Sequence, residues 1–96
     1  MHKKAAVDIG SNSIRYLGPN GERRLITTRL AENIISTGKL SDAAIERSIA
    51  ALKELAALAA AQGAKPYAYA TSAVRDAKFG SRERFLALAE EIMPVR

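Results

Sequence analysis

Ala5-Ala6-Val7-Asp8-Ile9-Gly10-Ser11-Asn12-Ser13 decides the reading of this chain. Residues 4–9 read as a strand in which Ala5, Ala6, Val7 and Ile9 are apolar and Asp8 interrupts. A near-continuous apolar run predicts a central strand buried on both faces. A carboxylate at the end of such a strand is unfavourable without a cation or hydrogen-bond donors beside it. Gly10 permits a sharp turn and close backbone approach, and Ser11, Asn12 and Ser13 offer N–H and hydroxyl donors. One reading joins these parts into a Mg²⁺–phosphate site, a hard oxygen ligand beside a donor-rich turn. The other is an Asx- or Ser-type turn between two hairpin strands, with Asp8 satisfied by neighbouring N–H groups. The residues leave both open.

Downstream, residues 14–17 resume an extended segment. Gly18-Pro19-Asn20-Gly21 is a strong turn signal. Residues 24–30, with β-branched Ile26, Thr27 and Thr28, read as the returning strand. Residues 31–40 form a loop closed by Thr37-Gly38. Ser41 is a good helix N-cap, and Asp42 stands in the first turn, where the helix dipole favours negative charge. From 42 to 62, Ile45, Ile49, Leu52, Ala56 and Ala59 recur at spacings of four, three, four and three, one face of a helix. Gly63 supplies the stop and Pro66 prevents resumption. Residues 67–70 alternate Tyr and Ala as a short strand, and 73–77 make a helical turn. Ser81 caps a second helix over 82–92, with Phe85, Leu86, Leu88, Ala89 and Ile92 on its apolar face. The order β-β-β-α-β-α predicts a single α/β layered domain with a crossover helix. The last helix should lead to another parallel strand, and the chain ends at Val95-Arg96, so this closing strand is expected to be missing.

The second informative stretch is Tyr69-Ala70-Thr71-Ser72-Ala73-Val74-Arg75-Asp76-Ala77. Hydroxyls at the C-terminal end of a strand, then a turn carrying Arg75, match the crevice where open α/β sheets bind ligands. Arginine can hold a phosphate with two parallel bonds. The alternative is that Ser72 caps the turn and Arg75 pairs with Asp76 or another nearby acid. If the first and fourth strands are neighbours, both stretches leave one sheet edge and face one ligand. Glu90-Glu91 are consecutive on a helix and do not form a carboxylate pair. Glu46, Arg47, Lys53 and Glu54 are expected on the wet face of the long helix.

Composition narrows the classes. The chain has 96 residues with 15 Lys+Arg and 10 Asp+Glu, a formal net charge of +5. Its 48% hydrophobic share argues against disorder. It has no cysteine, hence no disulfide and no thiolate metal site, and its one histidine, His2, excludes a His-clustered zinc site and a Ser/His/Asp triad. No apolar run approaches the roughly 18 residues that cross a bilayer, and the basic start is followed by no signal-peptide core. A cytoplasmic protein without a membrane partner is expected. The basic balance fits a phosphate-rich ligand. Nucleic acid is the weaker partner, because Tyr16, Tyr67, Tyr69, Phe79 and Phe85 are the only aromatics and the cations are scattered.

The run Ala5-Ala6-Val7-Asp8-Ile9-Gly10-Ser11-Asn12-Ser13-Ile14-Arg15 resembles the opening of the exopolyphosphatase / guanosine pentaphosphate phosphohydrolase (Ppx/GppA) family. The resemblance continues through Thr37-Gly38-Lys39-Leu40-Ser41, Ala44-Ile45-Glu46-Arg47 and Ala70-Thr71-Ser72-Ala73-Val74-Arg75-Asp76-Ala77, and ends at Phe85-Leu86. It implies a ribonuclease-H-like lobe of the actin, sugar-kinase and Hsp70 type, with ligand in a cleft between two lobes. It implies Mg²⁺-dependent release of orthophosphate from polyphosphate ends or from guanosine pentaphosphate. By position, Asp8 would sit at the metal. Gly10, Ser11, Asn12 and Ser13 would form the first phosphate loop, and Ser72 and Arg75 would contact substrate phosphates. Arg15 matches a common basic position. Phe79 departs from the family's usual asparagine. The family's catalytic glutamate and second lobe come later than Arg96, so the resemblance implies the N-terminal part only, inactive alone and completed by a C-terminal lobe or a dimer mate. The alternative expectation is a stand-alone phosphate- or nucleotide-binding module that docks on a separate partner lobe.

Overall fold

The computed structural model describes residues 3–96, and of Ser72 and Ala73 only the backbone. Strands β1 (Lys3–Ile9), β2 (Ser13–Leu17) and β3 (Arg23–Thr27) form a meander. Two short turns drive it, because strands this close in sequence pair antiparallel with little loop to close. The second is closed by Gly18 N–H to the Glu22 carbonyl at 2.7 Å, with Gly21 at φ 90°. A short helix α1 (Ile34–Thr37) lies within the expected loop and ends at Gly38, whose φ of 76° suits its lack of a side chain. The long helix α2 (Asp42–Ala61) begins at Ser41, whose side chain accepts from the Ala44 N–H. It crosses over to β4 (Ala64–Ala70), which pairs parallel with β1. Helices α3 (Ser72–Arg75) and α4 (Ser81–Glu90) follow.

The sheet order is β3-β2-β1-β4. β1 is therefore central, as its composition implies, but only one of its faces is buried. Ala5, Val7 and Ile9 point into the core with Ile14 and Tyr16 of β2, while Asp8 is exposed on the other face. Expecting two-sided burial fails at Ala6 and Asp8, because an alanine is compatible with either face. α2 covers the inner face with Ala44, Ile45, Ser48, Ala51, Leu52, Leu55 and Ala59. α4 packs on the same layer through fully buried Phe85, a side chain whose burial is worth about 1.5–3 kcal/mol. Arg84 at its start is ion-paired with Asp42 of α2. Ser81 does not cap α4: Gly80 holds that position, and the Ser81 hydroxyl accepts from the Leu40 N–H (3.1 Å) and donates to the Lys78 carbonyl (2.7 Å).

β4 begins three residues earlier than its Tyr/Ala alternation indicates and runs through Pro66. The proline is tolerated because of the side it faces. Ala68, two residues on, donates to the Pro94 carbonyl (2.8 Å) and accepts from the Arg96 N–H (2.7 Å), away from β1. Alternation puts the missing N–H of Pro66 on that same outer side, so no bond to β1 is lost. Those two bonds are also the start of the strand expected after α4: Val95 pairs parallel with Ala68.

Candidate functional site

β1 ends where the chain must reverse within two residues. The Gly10 N–H donates to the Ser13 carbonyl at 3.0 Å. A Cβ on Gly10 would lie 2.7 Å from that oxygen, so close approach dictates the glycine. The two carbonyls of the turn are occupied from below: Asn12 accepts from Thr28 (3.0 Å) and Arg29 (2.9 Å), and Ser11 accepts from Ala31 (2.9 Å). Among the described residues the N–H groups of Ser11 and Asn12 donate to nothing, and both residues are exposed. The turn thus leaves two amide donors unused beside the Ser13 hydroxyl, donors of the kind that an anion takes.

β4 ends beside it. The Thr71 N–H donates to the Ile9 carbonyl at 3.2 Å, and α3 begins at the next residue. Its last residue, Arg75, is exposed and forms no ion pair among the described residues. The Arg75 carbonyl accepts from the Arg82 guanidinium at 2.9 Å, which braces the turn. Ser72 opens α3 by its backbone, and its side chain lies outside the described residues. Among the described residues the Thr71 hydroxyl oxygen is buried without a hydrogen-bond partner. The two stretches singled out in the sequence therefore leave adjacent parallel strands on one sheet edge, the usual ligand crevice of an open α/β sheet.

Asp8 is set back on the helix-free face. It stands opposite Arg15 of β2 and Tyr69 of β4. With Leu17 and Leu25 these residues line an open groove of about 660 Å³. No group of three or more acidic or histidine side chains able to hold a metal occurs among the described residues. Asp8, exposed and in none of the ion pairs, fits a Mg²⁺ that takes one carboxylate and completes its shell with phosphate oxygens and water. It does not fit a metal held by protein alone. Its exposure also removes the desolvation argument for a bound cation.

The sequence reading missed the support of the turn. Arg47, expected on the wet face of α2, reaches the 28–32 segment instead. Its Nε donates to the Thr28 carbonyl (2.9 Å) and its Nη2 to the Arg29 carbonyl (3.4 Å), and it is ion-paired with Glu32. The Arg47 guanidinium holds the Glu32 carboxyl below its ordinary value of 4.5. A contact over so long a separation leaves no local signal, although Glu32 supplies the complementary charge.

Comparison with known proteins agrees with this fold. Residues 20–96 match the family model described as the Ppx/GppA phosphatase family. No curated protein matches. A solved Ppx/GppA family member from Aquifex aeolicus is 30% identical with a TM-score of 0.82, over 99% of this chain and 35% of that one. An exopolyphosphatase-like protein is 32% identical with a TM-score of 0.83, over 96% and 31%. An exopolyphosphatase from Cytophaga hutchinsonii shares the fold at 19% identity, with a TM-score of 0.82 over 95% and 32%. The chain thus spans about a third of the length of the solved structures it matches.

Proposed function

We propose, on the premise that this chain belongs to the Ppx/GppA phosphatase family, that its sheet edge holds the terminal phosphates of polyphosphate or guanosine pentaphosphate for release of orthophosphate. The observation that carries the reading is the juxtaposition of the two loops, joined by the Thr71 to Ile9 bond at 3.2 Å. The Ser11 and Asn12 N–H groups and the Ser13 hydroxyl donate to phosphate oxygens. Arg75 and the Ser72 hydroxyl engage the phosphates from the β4 side. Asp8 would supply one oxygen to a bound Mg²⁺. When bound, that ion neutralises charge building on the phosphate oxygens.

Positioning and electrostatics dominate phosphoryl transfer, and this chain spans about a third of the length of the solved structures it matches. The 96 residues alone therefore bind phosphate without turning it over, and hydrolysis requires groups from a further lobe. The test measures orthophosphate released with Mg²⁺ from polyphosphate and from guanosine pentaphosphate, by this chain and by the chain joined to the second lobe of a solved relative. Activity only in the joined form, lowered about 100-fold or more by Arg75→Ala or Asp8→Ala, supports the reading. Release by the 96 residues alone refutes the need for a further lobe. Full activity of Arg75→Ala in the joined form refutes the phosphate crevice.

A further inference from the structure

We infer that Arg47 is a positioning residue for the phosphate turn, acting at one remove through residues 28–32. The inference rests on the phosphate reading of residues 10–13. The turn exposes its amides only while its carbonyls are held from below, and the three donors that hold them come from one segment: Thr28, Arg29 and Ala31. That segment is not rigid by its own preference. Arg29 stands at φ 49°, a left-handed backbone that a non-glycine residue adopts at a cost. Thr28 is buried, and its hydroxyl has no partner among the described residues. Buried Leu30 and the Glu32 N–H bond to the Arg29 carbonyl (3.1 Å) anchor the segment, and one guanidinium clamps it from α2. Arg47 bonds the carbonyls of Thr28 and Arg29, the same two residues whose N–H groups converge on the Asn12 oxygen. Glu32 completes the clamp from the far side. A planar fork is needed, because the donors must reach two successive carbonyls and a carboxylate at once. A lysine would keep the charge and lose that geometry.

Arg47 touches no substrate in this arrangement, so its effect must appear in the phosphate turn. The test follows the Ser11 and Asn12 amide signals of the ¹⁵N-labelled protein by NMR while inorganic tripolyphosphate is added. In the wild type both signals move. Arg47→Lys weakens tripolyphosphate binding about five- to tenfold, the worth of one or two hydrogen bonds. The free-state Ser11 and Asn12 signals also shift in that variant, while those of β1 hold. Glu32→Gln, which spares both carbonyl bonds, weakens binding by a smaller factor, and it carries the test if Arg47→Lys fails to fold. Arg84→Lys, which alters the ion pair between α4 and Asp42 of α2, leaves binding unchanged and serves as the control. Wild-type affinity in Arg47→Lys, or equal weakening by Arg84→Lys, overturns the inference. Wild-type signals that ignore tripolyphosphate overturn the phosphate reading itself and the inference with it, a result distinct from moving signals with unaltered affinity in Arg47→Lys.

Discussion

Phe79 stands at φ 60°, is 78% exposed, and lies against Gly38, where an added Cβ would meet its ring at 3.4 Å. Left-handed backbone is tolerated by asparagine and strained for a bulky side chain. This gives a backbone reason for the asparagine that the family resemblance leads one to expect here. Phe79→Asn should raise stability by about 0.5–1 kcal/mol, read as an upward shift of the denaturant midpoint. A lower midpoint would mean that the ring's packing on Gly38 outweighs the strain. Gly10 is the opposite case, since its φ is ordinary and only space forbids a side chain. Gly10→Ala must push the Ser13 carbonyl aside, at a cost of about 1–3 kcal/mol. Its midpoint should fall, and unaltered stability would show that the hairpin can relax. Both glycine and aromatic were visible in the sequence. The sign of φ and the 2.7 Å approach were not, because each depends on the neighbouring turn.

The elements were legible wherever the signal is local. The Ser41 cap, the Gly63 stop at φ 67° and the meander at Asn20-Gly21 all follow from turn and capping chemistry. What failed were particular side-chain and loop contacts that one element makes with another. The short helix α1 sits in an expected loop, Ser81 serves Leu40 rather than its own helix, and Arg47 turns from solvent to a loop. The Arg47–Glu32 link carries a pH signature. The Glu32 carboxyl is lowered from 4.5 chiefly by its hydrogen bond to Arg47, so the folded chain binds its proton less readily than the unfolded chain. The stability it contributes is complete above 4.5 and is lost as pH falls through the lower folded value. Thermal melts of Glu32→Gln and wild type should therefore differ near neutral pH and converge in acid. A constant offset at every pH would detach the effect from titration.

At the scale of the molecule, the radius of gyration is 13.0 Å, the value expected of a compact domain near 100 residues, about 13 Å. One continuous core runs from Ala5 to Met93, so the chain should melt cooperatively, in the ordinary range of about 45–65 °C. Among the described residues no helix is long and apolar enough to cross a membrane. A broad, non-cooperative melt would mean that the open sheet face, where Tyr69 and Leu25 remain 49% and 56% exposed, leaves too little buried surface. The parallel pairing of Ile9 with Ala70 has a further consequence, in time rather than space. The meander closes over a few residues and forms early, whereas β4 must return across the whole of α2 before it can pair. The crevice between the two loops therefore belongs to the last stage of folding. An anion held across both loops should slow unfolding and leave the rate of folding almost untouched.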